Sequence, residues 1–261
     1  MIGSLYIVII LVVSIAGYAV KSLSKSGAIA TFITGCLVSI GFGWRGLLIL
    51  GVFFVTSSEW SDYKKQKKKE LEDIHEKGSS RDWVQVAANG SVACLSSVLY
   101  YLTGNDLWQI AFLISVAASN SDTWASEIGV LSKRDPYHIV TLKKVRRGTS
   151  GAISGLGTAA ALSGSLLIAA CGYFLFSLPS ILLVGYIAAC GFAGCLADTV
   201  LGATLQAKRQ CANCGIATEK RLHCGQETVL YNGLAWLTND GVNMVSILSA
   251  TAMGTVILYW L

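Results

Sequence analysis

Apolar residues come in long blocks separated by polar connectors. The blocks fall near residues 4–20, 27–43, 45–58, 84–102, 107–130, 151–175, 180–205 and 233–260. A helix crossing a bilayer core needs about 20 apolar residues, fewer where neighbours thin the membrane. The pattern therefore predicts an all-α fold: a polytopic transmembrane bundle of about eight helices, forming one integral membrane domain over residues 1–261. Block 45–58 is short for a full span. Block 4–20 lacks a basic flank and a small-residue cleavage site, so it is expected to persist as a first helix rather than act as a removable signal peptide.

Composition agrees with a bilayer as solvent. Only 13% of residues are charged and 53% are hydrophobic, against about 25% charged in soluble domains. The 27 glycines suit helices that approach one another closely in lipid. Charge then sets orientation. Every Lys and Arg except Arg45 falls in four connectors, those following the first, third, fifth and seventh blocks. With eight spans these connectors share one side, and the positive-inside rule makes it cytoplasmic. Both termini are then expected on the non-cytoplasmic side of the cell membrane.

Three of these connectors are long. Residues 59–83 form a charged, helix-compatible stretch that reads as a solvated topology determinant or a contact for anionic lipid. Residues 131–150 form a basic loop, and 206–230 a Cys/His loop. In the last, Cys211-x2-Cys214 is followed by His223 and Cys224, a set of thiols and imidazole that matches the four ligands of structural Zn²⁺. Reduced cysteines without metal, or a redox pair, are the alternatives. Cys36, Cys94, Cys171, Cys190 and Cys195 lie in apolar blocks as small hydrophobes.

Ionisable groups inside spans are costly and usually functional. This chain has Asp122, Glu127, Asp198 and Asp240, accompanied by Asn89, Asn120, Asn239 and Asn243. On one helix Asn120, Thr123 and Glu127 share a face, with Asp122 and Ser126 beside it. Asp122-Thr123-x-x-Ser126 is weakly echoed by Asp198-Thr199-x-x-Gly202. In the predicted topology all these groups lie towards the cytoplasmic side, a coincidence of depth that isolated interhelical hydrogen bonds do not require. Lys143, Lys144, Arg146 and Arg147 precede Gly148-Thr149-Ser150-Gly151 and the start of a span. Free N–H groups at a helix start bind anions, and nearby cations add charge-assisted donors. The Gly-x4-Gly-Lys-Ser/Thr loop is absent. Carboxylates beside a phosphate cradle suit Mg²⁺. Asp122, Glu127, Asp198 and Asp240 are thus the expected Mg²⁺ ligands or base. Lys143, Lys144, Arg146, Arg147, Gly148, Thr149, Ser150, Gly151, Asn89, Asn120, Asn239 and Asn243 are expected to hold substrate.

Read together, several segments resemble the integral membrane family of domain-of-unknown-function 92, which includes the plant phytyl-phosphate kinase. They are Gly43-Trp44, Ser57-Ser58, Asn89-Gly90, Asp122-Thr123-x-Ala125-Ser126-Glu127-Ile128-Gly129, Gly148-Thr149-Ser150-Gly151, Asp198-Thr199-x-x-Gly202-Ala203 and Asn239-Asp240-x-x-Asn243. The resemblance covers nearly the whole chain. It implies a kinase that converts an isoprenoid monophosphate to its diphosphate with CTP or another nucleoside triphosphate. A membrane transporter or flippase for a phosphorylated lipid, and a lipid nucleotidyltransferase, are the alternatives. The bilayer and these small molecules are the expected partners, and nucleic acid is not.

Overall fold

The computed structural model describes residues 3–63 and 80–260. The lysines at 64, 65, 67, 68, 69 and 77, with most of the stretch expected to be helical between 59 and 83, lie outside them. Seven helices are present among the described residues: α1 (Ser4–Ala19), α2 (Lys25–Asp62), α3 (Trp83–Thr103), α4 (Leu107–Gly129), α5 (Gly155–Phe176), α6 (Ile181–Thr204) and α7 (Asn239–Trp260). The count is seven rather than eight because the second and third apolar blocks run together as α2. That helix is broken at Gly43, whose φ of 54° interrupts the helical backbone. Residues eight apart in a straight helix are separated by about 12 Å. Yet a Cβ on Gly46 would lie 2.7 Å from Val38 Cγ1. The chain therefore doubles back at Gly43, and the two limbs of α2 pack against each other.

Five helices are long and apolar enough to cross a membrane: α2, α3, α5, α6 and α7. At 16 residues, α1 reaches only about 24 Å. The helix α4 is too polar to qualify, and its surroundings explain why. It touches α2, α3, α5, α6 and α7, and every residue from Ile110 to Ser121 is buried. Surrounded by protein, it need not be apolar towards lipid. Small residues let its neighbours close on it: a Cβ at Gly191 of α6 would meet Ser165 Oγ at 2.4 Å and Ala117 Cβ at 2.7 Å.

The two ends of the bundle differ. At one, Phe42, Phe112, Phe176 and Tyr100 form an aromatic cluster, with the Phe42 and Phe112 ring centroids 4.6 Å apart. At the other the connectors bearing the basic residues meet. Ser24 N–H donates to Arg81 O and Arg81 N–H to Ser22 O, both at 3.0 Å, joining the first two connectors. Ser61 at the end of α2 donates to Glu127 Oε1 near the end of α4 at 2.7 Å, and Ser150 donates to Gln206 Oε1 at 2.7 Å, joining the last two. Exposed aromatics mark both ends: Trp83 and Trp236 at the polar one, Trp44, Tyr101, Tyr259 and Trp260 at the other, the positions that interfacial rings favour.

Two expectations change in the loops. The fold is not purely helical, because short strands form there: β1 (Tyr137–His138) pairs β2 (Ala152–Ile153), β3 (Lys208–Gln210) lies between β4 (Ala217–Thr218) and β7 (Val229–Asn232), and β5 (Leu222–His223) pairs β6 (Gln226–Glu227). The expected spans at 151–175 and 233–260 consequently begin later, at Gly155 and Asn239. Ser154 caps α5 by accepting from Gly157 N–H at 3.1 Å, and this cap sets the boundary.

Candidate functional site

A cavity of about 170 Å³ opens at the polar end, where α4 and α6 finish and α5 and α7 begin. Asp122 and Ser126 reach it from α4, Asp198 and Thr199 from α6, and Asn239 from the start of α7. Arg147, the whole Gly148–Gly151 turn and the capped start of α5 close another side. Gly148 and Gly151 take φ of 79° and 85°, which fold the turn over the cavity. The two weakly similar Asp-Thr segments thus face each other across one space.

Further side chains hold the Asp198 carboxylate in place. Ser246 Oγ donates to its Oδ2 at 3.2 Å. The Asn243 amide, oriented by its hydrogen-bond partners, donates to the same oxygen at 2.9 Å and to Asn239 O at 3.1 Å. Asp122 Oδ1 accepts from Cys195 Sγ at 4.0 Å. Carboxylates and hydroxyls from two helices supply oxygen donors, the kind that hard divalent cations take. Beside them stand one guanidinium and a helix start, which take anions.

Not every expected residue converges here. Glu127 does not line this cavity: it sits on the α2 side of α4, accepting from Ser61. Five residues along a helix is about 140° of rotation, so Asp122 and Glu127 face different neighbours. Asp240 is buried in the first turn of α7 but does not line the cavity either; Asn239 does. Lys143, Lys144 and Arg146 are exposed and also lie outside the lining, leaving Arg147 as the cation of that run that reaches it. Arg146 instead shapes the turn, its carbonyl accepting from Thr149 Oγ1 at 2.7 Å.

Asn120 has a packing role. Fully buried, it donates to Gly164 O at 2.7 Å and accepts from Ser57 Oγ at 3.3 Å, tying α4 to α5 and α2. Replacing Asn120 with Ala is expected to lower thermal stability by about 1 kcal/mol while leaving ligand affinity unchanged, as thermal unfolding in detergent would register.

Comparison with known proteins places the chain. The family model for "Integral membrane protein DUF92" matches residues 8–251. The chain belongs to the DUF92 family. Among its relatives is Protein PGR of Arabidopsis thaliana, 32% identical over 93% of this chain and 91% of that protein. An uncharacterized membrane protein of Methanocaldococcus jannaschii is 35% identical over 77% and 82%. Protein VTE6, chloroplastic, of Arabidopsis thaliana is 30% identical over 87% and 63%. No solved structure matches.

Two features of this DUF92 chain escape a reading by sequence pattern. Gln206 and Glu219 line the cavity and are linked, Gln206 Nε2 donating to Glu219 Oε1 at 2.7 Å. The only cue to Gln206 is its place just past the end of α6, and Glu219 sits within the Cys/His loop. The second feature is a larger, mostly apolar cavity of about 400 Å³ among α1, α2 and α3, lined by Asn89, Arg81 and Thr123 among others. Asn89 belongs to it, not to the carboxylate cavity, and donates to Gln85 O of its own helix at 2.9 Å.

In the Cys/His loop the sulfurs of Cys211, Cys214 and Cys224 and a ring nitrogen of His223 lie within 4.8 Å of one another. The backbone hydrogen bond with Cys214 is the largest cause holding the Cys211 thiol down at about 6. The Cys214 thiol beside Cys224 pushes that group up to about 11. One thiolate among neighbouring thiols discourages the next from ionising.

Proposed function

We propose that this protein is a membrane-embedded phosphotransferase acting on an isoprenoid monophosphate, with a nucleoside triphosphate as donor. The observation that carries the reading is the meeting of Asp122 and Asp198 with Arg147 and the Gly148–Gly151 turn around one cavity. Phosphoryl transfer needs alignment and charge neutralisation more than covalent help from the protein. Asp122 and Asp198 would hold Mg²⁺, which would supply charge neutralisation for the phosphates. Arg147, the turn's N–H groups and the start of α5 would orient the phosphates. Family membership beside VTE6 supports a lipid-related role.

The lipid chain has a route out. Phe192 and Leu196, one helical turn apart on α6, line the cavity, and Leu196 is exposed on the outer surface. An isoprenoid tail passing them reaches the bilayer while its phosphate stays inside. Leu196→Trp should raise KM for a prenyl phosphate severalfold and leave KM for the nucleotide unchanged, read from initial rates at varied acceptor. An equal effect on both substrates would remove the proposed route.

Counting the limbs of α2 separately, the chain would cross the membrane eight times. The basic connectors would then be cytoplasmic and both termini outside. A cavity at one end favours an enzyme over a carrier, whose site would sit near mid-membrane. The direct test is incubation of purified protein with labelled CTP or ATP, Mg²⁺ and farnesyl or geranylgeranyl phosphate. The proposal expects the matching diphosphate and its loss on chelating Mg²⁺; no product with any of these pairs would contradict it.

A further inference from the structure

We infer that Cys211, Cys214, His223 and Cys224 form a zinc site whose job is structural: it braces the loop that supplies Glu219 and backs Gln206 at the cavity. The inference stands on geometry outside the membrane and does not depend on the kinase reading.

Four ligand atoms within 4.8 Å of one another fit a tetrahedron with Zn–S bonds of about 2.3 Å and a Zn–N bond of about 2.0 Å. His223 Nδ1 is 3.5 Å from Cys214 Sγ and 3.3 Å from Cys224 Sγ, so the ring already turns Nδ1 towards the thiols. Its proton then belongs on Nε2. The two pairs of ligands come from two tight turns. Gly215 N–H donates to Cys211 O at 2.9 Å and Cys211 N–H to Ile216 O at 3.0 Å, closing the first turn, where Gly215 has φ of 71°. The second is the β5–β6 connection, in which Cys224 and Gly225 have φ of 52° and 75°. A non-glycine residue in the left-handed region is uncommon, and at Cys224 it turns the sulfur towards the other ligands.

Binding balances in charge. Three thiols release their protons to solvent and the imidazole stays neutral, so Zn²⁺ with three thiolates carries a net charge of −1. Lys208, Arg209, Lys220 and Arg221 are close by in sequence and offset it. A dication also removes the repulsion among the sulfurs.

The site is wired to the cavity. Glu219 follows β4 directly, and β4 pairs with β3, the strand leading into Cys211. Glu219 accepts from Gln206, and Gln206 accepts from Ser150 of the glycine turn. Thr228, just before β7, donates to Lys220 O at 2.6 Å and holds the far side of the loop. Little of this loop is apolar enough to form a core, which is the circumstance in which a metal supplies folding energy.

The test uses full-length protein purified in mild detergent. Elemental analysis should find about one zinc per chain, lost in Cys214→Ser and in His223→Ala and retained in Cys36→Ser. If the loop variants fail to fold, the wild type alone decides. Three additional thiols should become reactive only after chelation, and amide exchange across 206–233 and at 148–151 should quicken at the same time. Wild-type protein without zinc after growth and purification in its presence, thiols that react equally with and without chelator, or a Cys211–Cys214 disulfide would each overturn the proposal. Zinc bound with no change in exchange at 148–151 on its removal would overturn the bracing role.

Discussion

Asp198→Asn and Asp122→Asn should each lower phosphoryl transfer about a thousandfold while leaving the protein folded. The substitution keeps the shape and part of the hydrogen bonding: Ser246 and Asn243 can still reach an amide oxygen at the place of Asp198 Oδ2. What it removes is charge. Two carboxylates facing one cavity repel each other when no cation lies between them, so replacing one should leave the melting temperature of metal-free protein unchanged or raise it. Addition of Mg²⁺ should raise the melting temperature of the wild type and not of the variants. Glu127→Gln serves as the contrast. Glu127 faces Ser61 on the other side of α4, so its variant should keep the Mg²⁺ response. An activity loss at Glu127 as deep as that at Asp198 would mean that the site extends around the helix.

The second large effect concerns the glycine turn. Gly151→Ala should cost about 2 kcal/mol or more of stability and lower activity about a hundredfold. Gly151 has φ of 85°, and a Cβ there would lie 2.5 Å from Ala203 Cβ and 2.8 Å from Ala203 Cα. The left-handed backbone alone costs an L-residue about 1–2 kcal/mol, and the contact is with backbone that cannot swing aside. Relief requires the turn to lift from α6 by about 1 Å, a displacement large enough to spoil alignment of a phosphate. Gly155→Ala, four residues on, is the matched control. It meets nothing within 4 Å and lies in the first turn of α5, so alanine there should be neutral or slightly stabilising. Thermal unfolding and turnover measured on the pair separate the two outcomes.

Much of this arrangement was legible in the sequence because lipid imposes a simple rule on exposed residues. Apolar blocks marked α1, α3, α5, α6 and α7, and the basic connectors gathered at one end. The doubling-back at Gly43 was legible as a boundary between blocks. That one long helix, broken there, carries both blocks is set by a single backbone angle, which no hydropathy pattern reports. For α4 the rule gives less, since that helix is enclosed by protein and its polar residues are divided among neighbours. The helical wheel puts Asn120, Thr123 and Glu127 on one face, with Asp122 and Ser126 beside it. It does not say which neighbour each of these groups meets, and a shared depth does not by itself make a shared site. Asp122 and Asp198 share one; Glu127 and Asp240 do not line it. Gln206 and Glu219 were invisible for another reason. Each is a common polar residue in a loop: Gln206 reaches the cavity from just past the end of α6, and Glu219 is carried there by the pairing of β4 with β3.

The most direct test of the central claim is product analysis of a single reaction: purified protein, Mg²⁺, geranylgeranyl phosphate, and CTP labelled separately in its α- and γ-phosphates. The account predicts that the γ-label alone appears in geranylgeranyl diphosphate, with one CDP formed for each lipid product. Transfer of the α-label to lipid with release of pyrophosphate would identify a nucleotidyltransferase instead, and an acceptor recovered unchanged with CTP, with ATP in its place, and with farnesyl phosphate as acceptor would contradict a phosphotransferase.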